Sequence, residues 1–403
     1  MARRLTCPYC YETFTGREIA FRCNSRLTRT QKRCVRRRDQ VLADRMGQRG
    51  EVGPVFTADG RASTAVCPDC DGETTFRICP VCHSTLPAQF GMVENRMIAM
   101  VGAKASGKTV YTTVLLHEMM NRVGSAFGAS LVGADDATMQ RFHADYHEHL
   151  FRDGQMFAGT RTAVTNDNRV DPLVFRFGLR RRSLLGERPQ HTVLSFFDTA
   201  GEDFNSRENM ELNTRYLANA DGIVLLLDPL QMAGARPLAR PGTALPGTEG
   251  VDTPYHVVSR VTNLLLARED AGRRARFAGR RAAPRIDTPV AVVFTKLDAF
   301  WHLLDKGSPL RAHPPSGDRF DEEDSLSVHE EVRTLIKDWD GVPIDRLLEN
   351  TYSRYRYFGI SALGHSPTAD ARVARTGIQP YRVTDPLLWL LGEYGAVPRT
   401  GRR

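Results

Sequence analysis

Gly102 and Gly107 stand five residues apart, and Lys108 and Thr109 follow at once, in the stretch VGAKASGKTV. A G-x4-G-K-[ST] pattern between a strand and a helix is a phosphate-binding loop. Its glycines let the backbone fold around phosphates with N–H groups pointing inward, and the helix N-terminus adds positive potential. The groups that line such a loop are Gly102, Ala105, Ser106, Gly107, Lys108, Thr109 and Val110. Lys108 reaches β- and γ-phosphate oxygens as a compact point charge. Thr109 offers its hydroxyl to Mg²⁺. Only six Lys stand among 55 Lys and Arg, and three of them, Lys104, Lys108 and Lys296, fall in these motifs.

Two further strand ends carry matching chemistry. FFDTAGED closes a strand with Asp198, which can hold Mg²⁺ through water, and continues to Gly201, whose N–H can bond a third phosphate. VVFTKLD closes another with Thr295, Lys296 and Asp298. A carboxylate at Asp298 accepts from both N–H groups of a guanine edge, a donor pair that adenine lacks. Lys296 would lie along the base. In ISALG, Ser361 and the backbone N–H of Ala362 would face the guanine carbonyl.

The eight cysteines lie within the first 82 residues: Cys7-x2-Cys10, Cys23-x10-Cys34, then Cys67-x2-Cys70-x8-Cys79-x2-Cys82. A C-x2-C knuckle turns two thiolates toward one point, which suits tetrahedral Zn²⁺. The last four read as one compact ribbon and the first four as a second set, with interleaved pairs as the other arrangement. Four thiolates per ion leave no open position, so the sites are structural. His83 reads as a surface residue. His143, His147 and His149 read as polar faces of an inserted helix rather than a metal cluster.

These motifs need a framework. RMIAMVG, TVLSFFD, GIVLLLD, VAVVFTK and YFGIS are short apolar runs that end at polar residues or glycine, the pattern of buried parallel strands. Helices are expected at 108–123, 255–268, 328–339 and 385–394. The expected fold is α/β: a P-loop NTPase three-layer sandwich with a mostly parallel sheet over 96–397, preceded by a zinc-ribbon module over 1–95. The module is too poor in core residues to fold without staples. Insertions are expected near 124–158, 233–254 and 307–325, the last two as Pro/Gly-rich loops.

Order and spacing of the four nucleotide motifs resemble the Ras-like GTPases of the TRAFAC class over roughly residues 96–395. The cysteine-rich N-terminus, LLLDP at 225–229 and DPLLWLL at 385–391 resemble bacterial double-GTPase-type families, which occur in predicted conflict-system operons. The resemblance implies a Mg²⁺-dependent GTP switch. It also implies a first-switch Thr ligand for Mg²⁺, for which Thr160 is favoured over Thr162 and Thr165. Where many small GTPases carry a water-orienting glutamine, this chain has Glu202, and the guanine motif begins with Thr295 rather than Asn. Lys104 sits where a side chain leans over the γ-phosphate. With these departures, hydrolysis should be slow until a partner completes the site.

The chain has no run of 18 apolar residues and no apolar segment near its start, so a cytoplasmic protein without a membrane span is expected. Residues 1–50 hold 13 Lys/Arg against 4 Asp/Glu, an excess that suits an acidic protein or nucleic acid. The expected ligands are GTP, Mg²⁺ and Zn²⁺, with a protein effector or activator. The alternative is a nucleotide-gated interaction or nucleic-acid-binding protein with negligible turnover.

Overall fold

A strand that is apolar on both faces is stable only between two covering layers. The computed structural model describes residues 4–28, 31–157, 164–165, 168–169, 172–183, 186–198, 214–247, 252–274, 285–315, 317–368 and 370–401, and it has that arrangement. Seven strands form one sheet: β1 Glu94–Gly102, β2 Ala129–Gly133, β3 Leu173–Ser183, β4 Gly186–Asp198, β5 Gly222–Leu227, β6 Val290–Phe294 and β7 Tyr355–Gly359. Their order is β2-β3-β4-β1-β5-β6-β7. β4, β1, β5, β6 and β7 run parallel, while β2 and β3 add an antiparallel edge.

Helices that pack on this sheet include α1 Lys108–Glu118, α2 Pro254–Arg274, α3 Glu322–Asp338, α4 Val342–Thr351 and α5 Asp385–Glu393. Alternate residues of each strand point to opposite layers. Ala99, Leu225 and Val292 meet Val261 of α2, Val332 of α3 and Leu348 of α4. Met100, Leu226 and Val293 meet Leu115 of α1 and Leu390 of α5. Both layers are mostly apolar at the sheet, which fixes the register of the central strands.

The structure gives the inserted stretches their elements. The 124–158 stretch supplies the edge strand β2, the short helix Asp136–Arg141 and a π-helix, Phe142–Arg152. The 307–325 stretch ends earlier as a loop, because the Asp321 carboxylate accepts from the N–H groups of Glu323 and Asp324, both at 3.0 Å, and starts α3 there. Its acidic run is the first turn of a helix, where negative charge is favourable. α4 was not expected at all. The described N-terminal residues form small sheets of two and three strands around the cysteines.

Candidate functional site

β1 delivers the glycine-rich loop to the edge of the sheet. A Cβ at Gly102 would stand 2.6 Å from both the Leu226 carbonyl oxygen and Ser106 Oγ, so the close approach of loop and β5 admits only glycine. The loop turns back through left-handed conformations at Ala105 (φ +61°) and Gly107 (φ +87°). Lys108 then opens α1, is 4% exposed, and donates from Nζ to the carbonyls of Gly102 at 2.9 Å and Ala103 at 3.1 Å. The ammonium is thus held against the inner wall of the loop. A phosphate oxygen is a stronger acceptor for it than two neutral carbonyls.

The second motif is stitched to the first. Thr295 ends β6 and donates its hydroxyl to the Ser106 carbonyl at 3.0 Å. Lys296 follows with φ +56°, an uncommon conformation for a residue with a Cβ. That bend brings its Nζ to the Ala105 carbonyl at 3.0 Å and to Asp228 Oδ2 at 2.5 Å. Asp228 closes β5 and is fully buried, and its other oxygen accepts from the Leu230 N–H at 2.9 Å. Ser361, also fully buried, donates to Asp298 Oδ1 at 2.6 Å and accepts from the Gly364 N–H at 2.9 Å. The Ser361 bond fixes the Asp298 carboxylate at the mouth of the site.

One cavity of about 520 Å³ joins these parts. It is lined by Lys104 through Val110, by Thr295, Lys296 and Asp298, and by Ala362. That volume lies within the range of small-molecule sites. A phosphate cradle sits at one end and a carboxylate acceptor at the other.

Thr160, Gly201 and Glu202 lie outside the described residues, as does the side chain of Asp198, whose backbone ends β4 opposite Met100. Thr162 also lies outside them, and of Thr165 only the backbone is described, in a two-residue pairing with Asn168. Lys104 is exposed and lines the cavity, and its carbonyl accepts from Gln231 Nε2 at 2.7 Å. Sequence reasoning missed Asp228 as a site residue, although it closes a strand just as Asp198 does. It also missed Phe157, which lines the cavity.

The cysteines assemble into two tetrads, Cys7/Cys10/Cys79/Cys82 and Cys23/Cys34/Cys67/Cys70. The reading of Cys67, Cys70, Cys79 and Cys82 as one ribbon is therefore corrected in favour of interleaved pairs. The cause is a ladder in which Ala20 pairs with Ile78 and Phe21 with Arg77. Cys23 and Cys79 leave it at opposite ends, roughly 13 Å apart at strand rise. Nearest Sγ···Sγ distances are 3.8 and 3.9 Å in the first tetrad and 3.5 and 3.7 Å in the second. Sulfurs bound tetrahedrally at the zinc bond length would lie about 3.8 Å apart.

Backbone N–H groups of Tyr9, Ser25 and Val81 donate to Cys7, Cys23 and Cys79 sulfur, at 3.4, 3.3 and 3.4 Å respectively. Burial pushes the Cys7 thiol well up, while hydrogen bonds from Cys10 and Cys7 hold the Cys82 thiol far down. The donor set fits Zn²⁺, which would supply a structural cross-link there.

His83 belongs to neither tetrad. Its Nδ1 meets Asp39 at 2.9 Å, and Arg22 meets the same carboxylate at 3.0 Å. His117 and His147 touch through ring nitrogens at 3.1 Å, and burial holds both below the usual histidine range. His149 packs on Phe157. Among the described residues, only the two cysteine tetrads gather three or more metal-ligating groups.

Residues 96–336 match the family Double-GTPase 2. The putative ESX-1 scaffolding and assembly protein SaeC of Mycolicibacterium smegmatis (strain ATCC 700084 / mc(2)155) is 27% identical, over 97% of this chain and 99% of that protein. The S. cerevisiae Ski7 GTPase-like domain, bound to GDP and inorganic phosphate, is 14% identical with a TM-score of 0.30. That match covers 75% of this chain, which spans about half of the Ski7 chain (50%). The Arl6 small GTPase of Trypanosoma brucei is 13% identical with a TM-score of 0.28, over 75% of this chain and 99% of that one. Likenesses this remote say nothing about what this chain binds. No described helix is long and apolar enough to cross a membrane.

Proposed function

The chain belongs to the Double-GTPase 2 family, and on that premise we propose that it binds GTP with Mg²⁺ and hydrolyses it slowly, as a switch. The observation that carries this reading is one cavity lined by Lys108 and Thr109 together with Asp298. In the proposal, Lys108 neutralises the β- and γ-phosphates and the loop N–H groups hold them. Asp298, held by Ser361, accepts from the guanine edge. Thr109 would hold Mg²⁺ with Asp198 and Thr160, and the ion would offset phosphate charge. A water attacks the γ-phosphorus and the bond to the β-phosphate bridging oxygen breaks, giving GDP and phosphate. Glu202 has no N–H to offer the transition state, and exposed Lys104 can supply one cation.

We assign the switch to 96–397 and a zinc-bound contact module to 1–95, in a reducing, cytoplasmic setting that keeps eight thiols free. The relative's name extends the proposal. Similarity over nearly the whole of both chains suggests a switch that works in assembling a protein complex. Basic residues of the module, Arg33, Arg36, Arg37 and Arg38, give it charge for an acidic partner.

Nucleotide competition and single-turnover hydrolysis test the reading. GTP should displace labelled GDP far better than ATP, and Lys108→Ala should bind neither. Hydrolysis should be slow in the pure chain and should change on Glu202→Gln or Lys104→Ala. Equal affinity for ATP and GTP sinks the guanine assignment. Turnover alone near 1 s⁻¹, the order seen in assisted GTPases, removes the need for a partner.

A further inference from the structure

Tyr216 lies among the helical residues 214–218 and is 1% exposed. Its hydroxyl donates to the Ile98 carbonyl and accepts from the Met100 N–H, both at 3.0 Å. These are β1 residues, registered against Phe196 and Asp198 of β4, and Gly102 follows two residues on. Tyr216 therefore grips the strand that aims the phosphate loop.

The other side of Tyr216 is held by the first cysteine knuckle. Tyr11, fully buried, places its ring 5.1 Å from that of Tyr216. The Tyr11 N–H donates to the Cys7 carbonyl at 3.1 Å, and the Cys7 N–H donates to the Glu12 carbonyl at 2.9 Å, so this loop is the metal knuckle itself. Asn219 Nδ2 donates to the Tyr11 carbonyl at 3.0 Å, and Arg215 pairs with Glu12 at 2.9 Å. The same apolar cluster that holds Cys7, Cys10, Cys79 and Cys82 includes Val174 of β3 and Val193 of β4.

We infer that Tyr11 and Tyr216 are positioning residues that couple the Cys7/Cys10/Cys79/Cys82 centre to the nucleotide loop. This inference rests on the functional reading above. A closed knuckle sets Tyr11, Tyr11 sets Tyr216, and Tyr216 fixes the β1 backbone just before Gly102. Zinc at this centre then tightens nucleotide binding. By linkage, nucleotide tightens zinc binding at this centre by the same factor. The second tetrad packs with Phe56 in a separate cluster that, among the described residues, contains neither tyrosine, and it is the internal control.

The test uses the full zinc-loaded chain, labelled GDP and a chelator. Tyr11→Leu should keep two zinc ions per chain and lose about tenfold in GDP affinity, a common size for such coupling. In the wild type, GDP should raise the affinity for one zinc about tenfold, read at equilibrium against the chelator, and leave the other unchanged. In Tyr11→Leu, GDP should change neither. If Tyr11→Leu fails to fold, Glu12→Gln, at a half-exposed ion pair, should show the same pattern with a smaller change. Zinc-loaded variants that bind GDP like wild type, with wild-type zinc affinity indifferent to GDP, overturn the coupling. A wild type that binds no guanine nucleotide overturns the functional reading instead. Coupling is then read from hydrogen exchange at the Met100 amide: faster exchange when the first centre loses zinc supports it, and unchanged exchange overturns it.

Discussion

The hydroxyl of Thr295, at the end of β6, donates to the carbonyl of Ser106, in the middle of the phosphate loop, at 3.0 Å. One short side chain thus ties the guanine-facing strand end to the phosphate-facing loop, 189 residues away in the chain. The resemblance leads one to expect asparagine at this position. A threonine hydroxyl supplies the single donor that the bond needs, and the buried site (Thr295 is 4% exposed) leaves little room for more.

Thr295→Val tests that tie. Valine keeps the shape and removes the donor, leaving a loop carbonyl short of a partner, at a cost of about 1–2 kcal/mol. Affinity for GTP and for GDP should fall together, by roughly five- to thirtyfold. Titration calorimetry with both nucleotides checks it. A loss confined to GTP would mean that the bond serves the γ-phosphate rather than the frame.

Asp298 and Ser361 should separate base choice from base orientation. Asp298→Asn removes an acceptor for two guanine N–H groups, so GTP affinity should drop on the order of 10²-fold and xanthosine triphosphate should become the better ligand. Ser361→Ala leaves the carboxylate but frees it to rotate, since the 2.6 Å bond from Ser361 is lost. It should weaken GTP about tenfold without changing the preferred base. Competition with GTP, ATP and xanthosine triphosphate reads both outcomes. A base switch in Ser361→Ala would contradict the assigned roles.

Motif spacing made the phosphate loop, the guanine motif and the central strands legible, because each is local: an apolar run, then a polar residue at its end. Asp228 was not legible as a site residue. Its meaning depends on Lys296 reaching it from the end of the neighbouring strand, a relation set by sheet order rather than by spacing. The cysteine pairing was illegible for a similar reason. The knuckles look alike in sequence, and the Ala20–Ile78 rung of a short ladder decides which two meet. α4 was missed because it is ten residues long and has a proline in its first turn, which reads as a break but suits a helix start. Gly201, Glu202 and Thr160 lie outside the described residues.

His329, on α3, gives stability a pH window. Its Nδ1 accepts the Tyr357 N–H at 3.0 Å, so the ring is bound in its neutral form. Burial, then the nearby Arg356 charge, holds it at about 4. In the unfolded chain a histidine titrates near 6.5. The folded value is the lower one, so the unfolded state takes up the proton first as pH falls. The contribution is full above about 6.5 and is lost as pH drops toward about 4, by about 2–3 kcal/mol. Asp385, pushed up to about 6 by burial, works in the opposite sense. Comparison with His329→Gln, which keeps Asp385, cancels that part. Between pH 7 and 4.5 the wild type should lose more stability to urea than the variant does. Equal losses would remove His329 as the cause.

Zinc counting tests the interleaved pairing. Each tetrad should hold one Zn²⁺, so the intact chain should carry two per molecule by elemental analysis. The double variant Cys7→Ser/Cys79→Ser removes two ligands from one tetrad and none from the other, and should retain one zinc. Had the cysteines paired in sequence order, Cys7 and Cys79 would belong to different sites, and the same variant would weaken both and release both ions more easily to a chelator. Cys7→Ser/Cys67→Ser is the converse: it removes one ligand from each tetrad, and should release both ions more easily to a chelator. The remaining zinc in Cys7→Ser/Cys79→Ser should resist the chelator as the second ion of the wild type does, because the 3.5 and 3.7 Å sulfur pairs of Cys23/Cys70 and Cys34/Cys67 are untouched. Zero zinc in the wild type, with disulfides in its place, would overturn both centres.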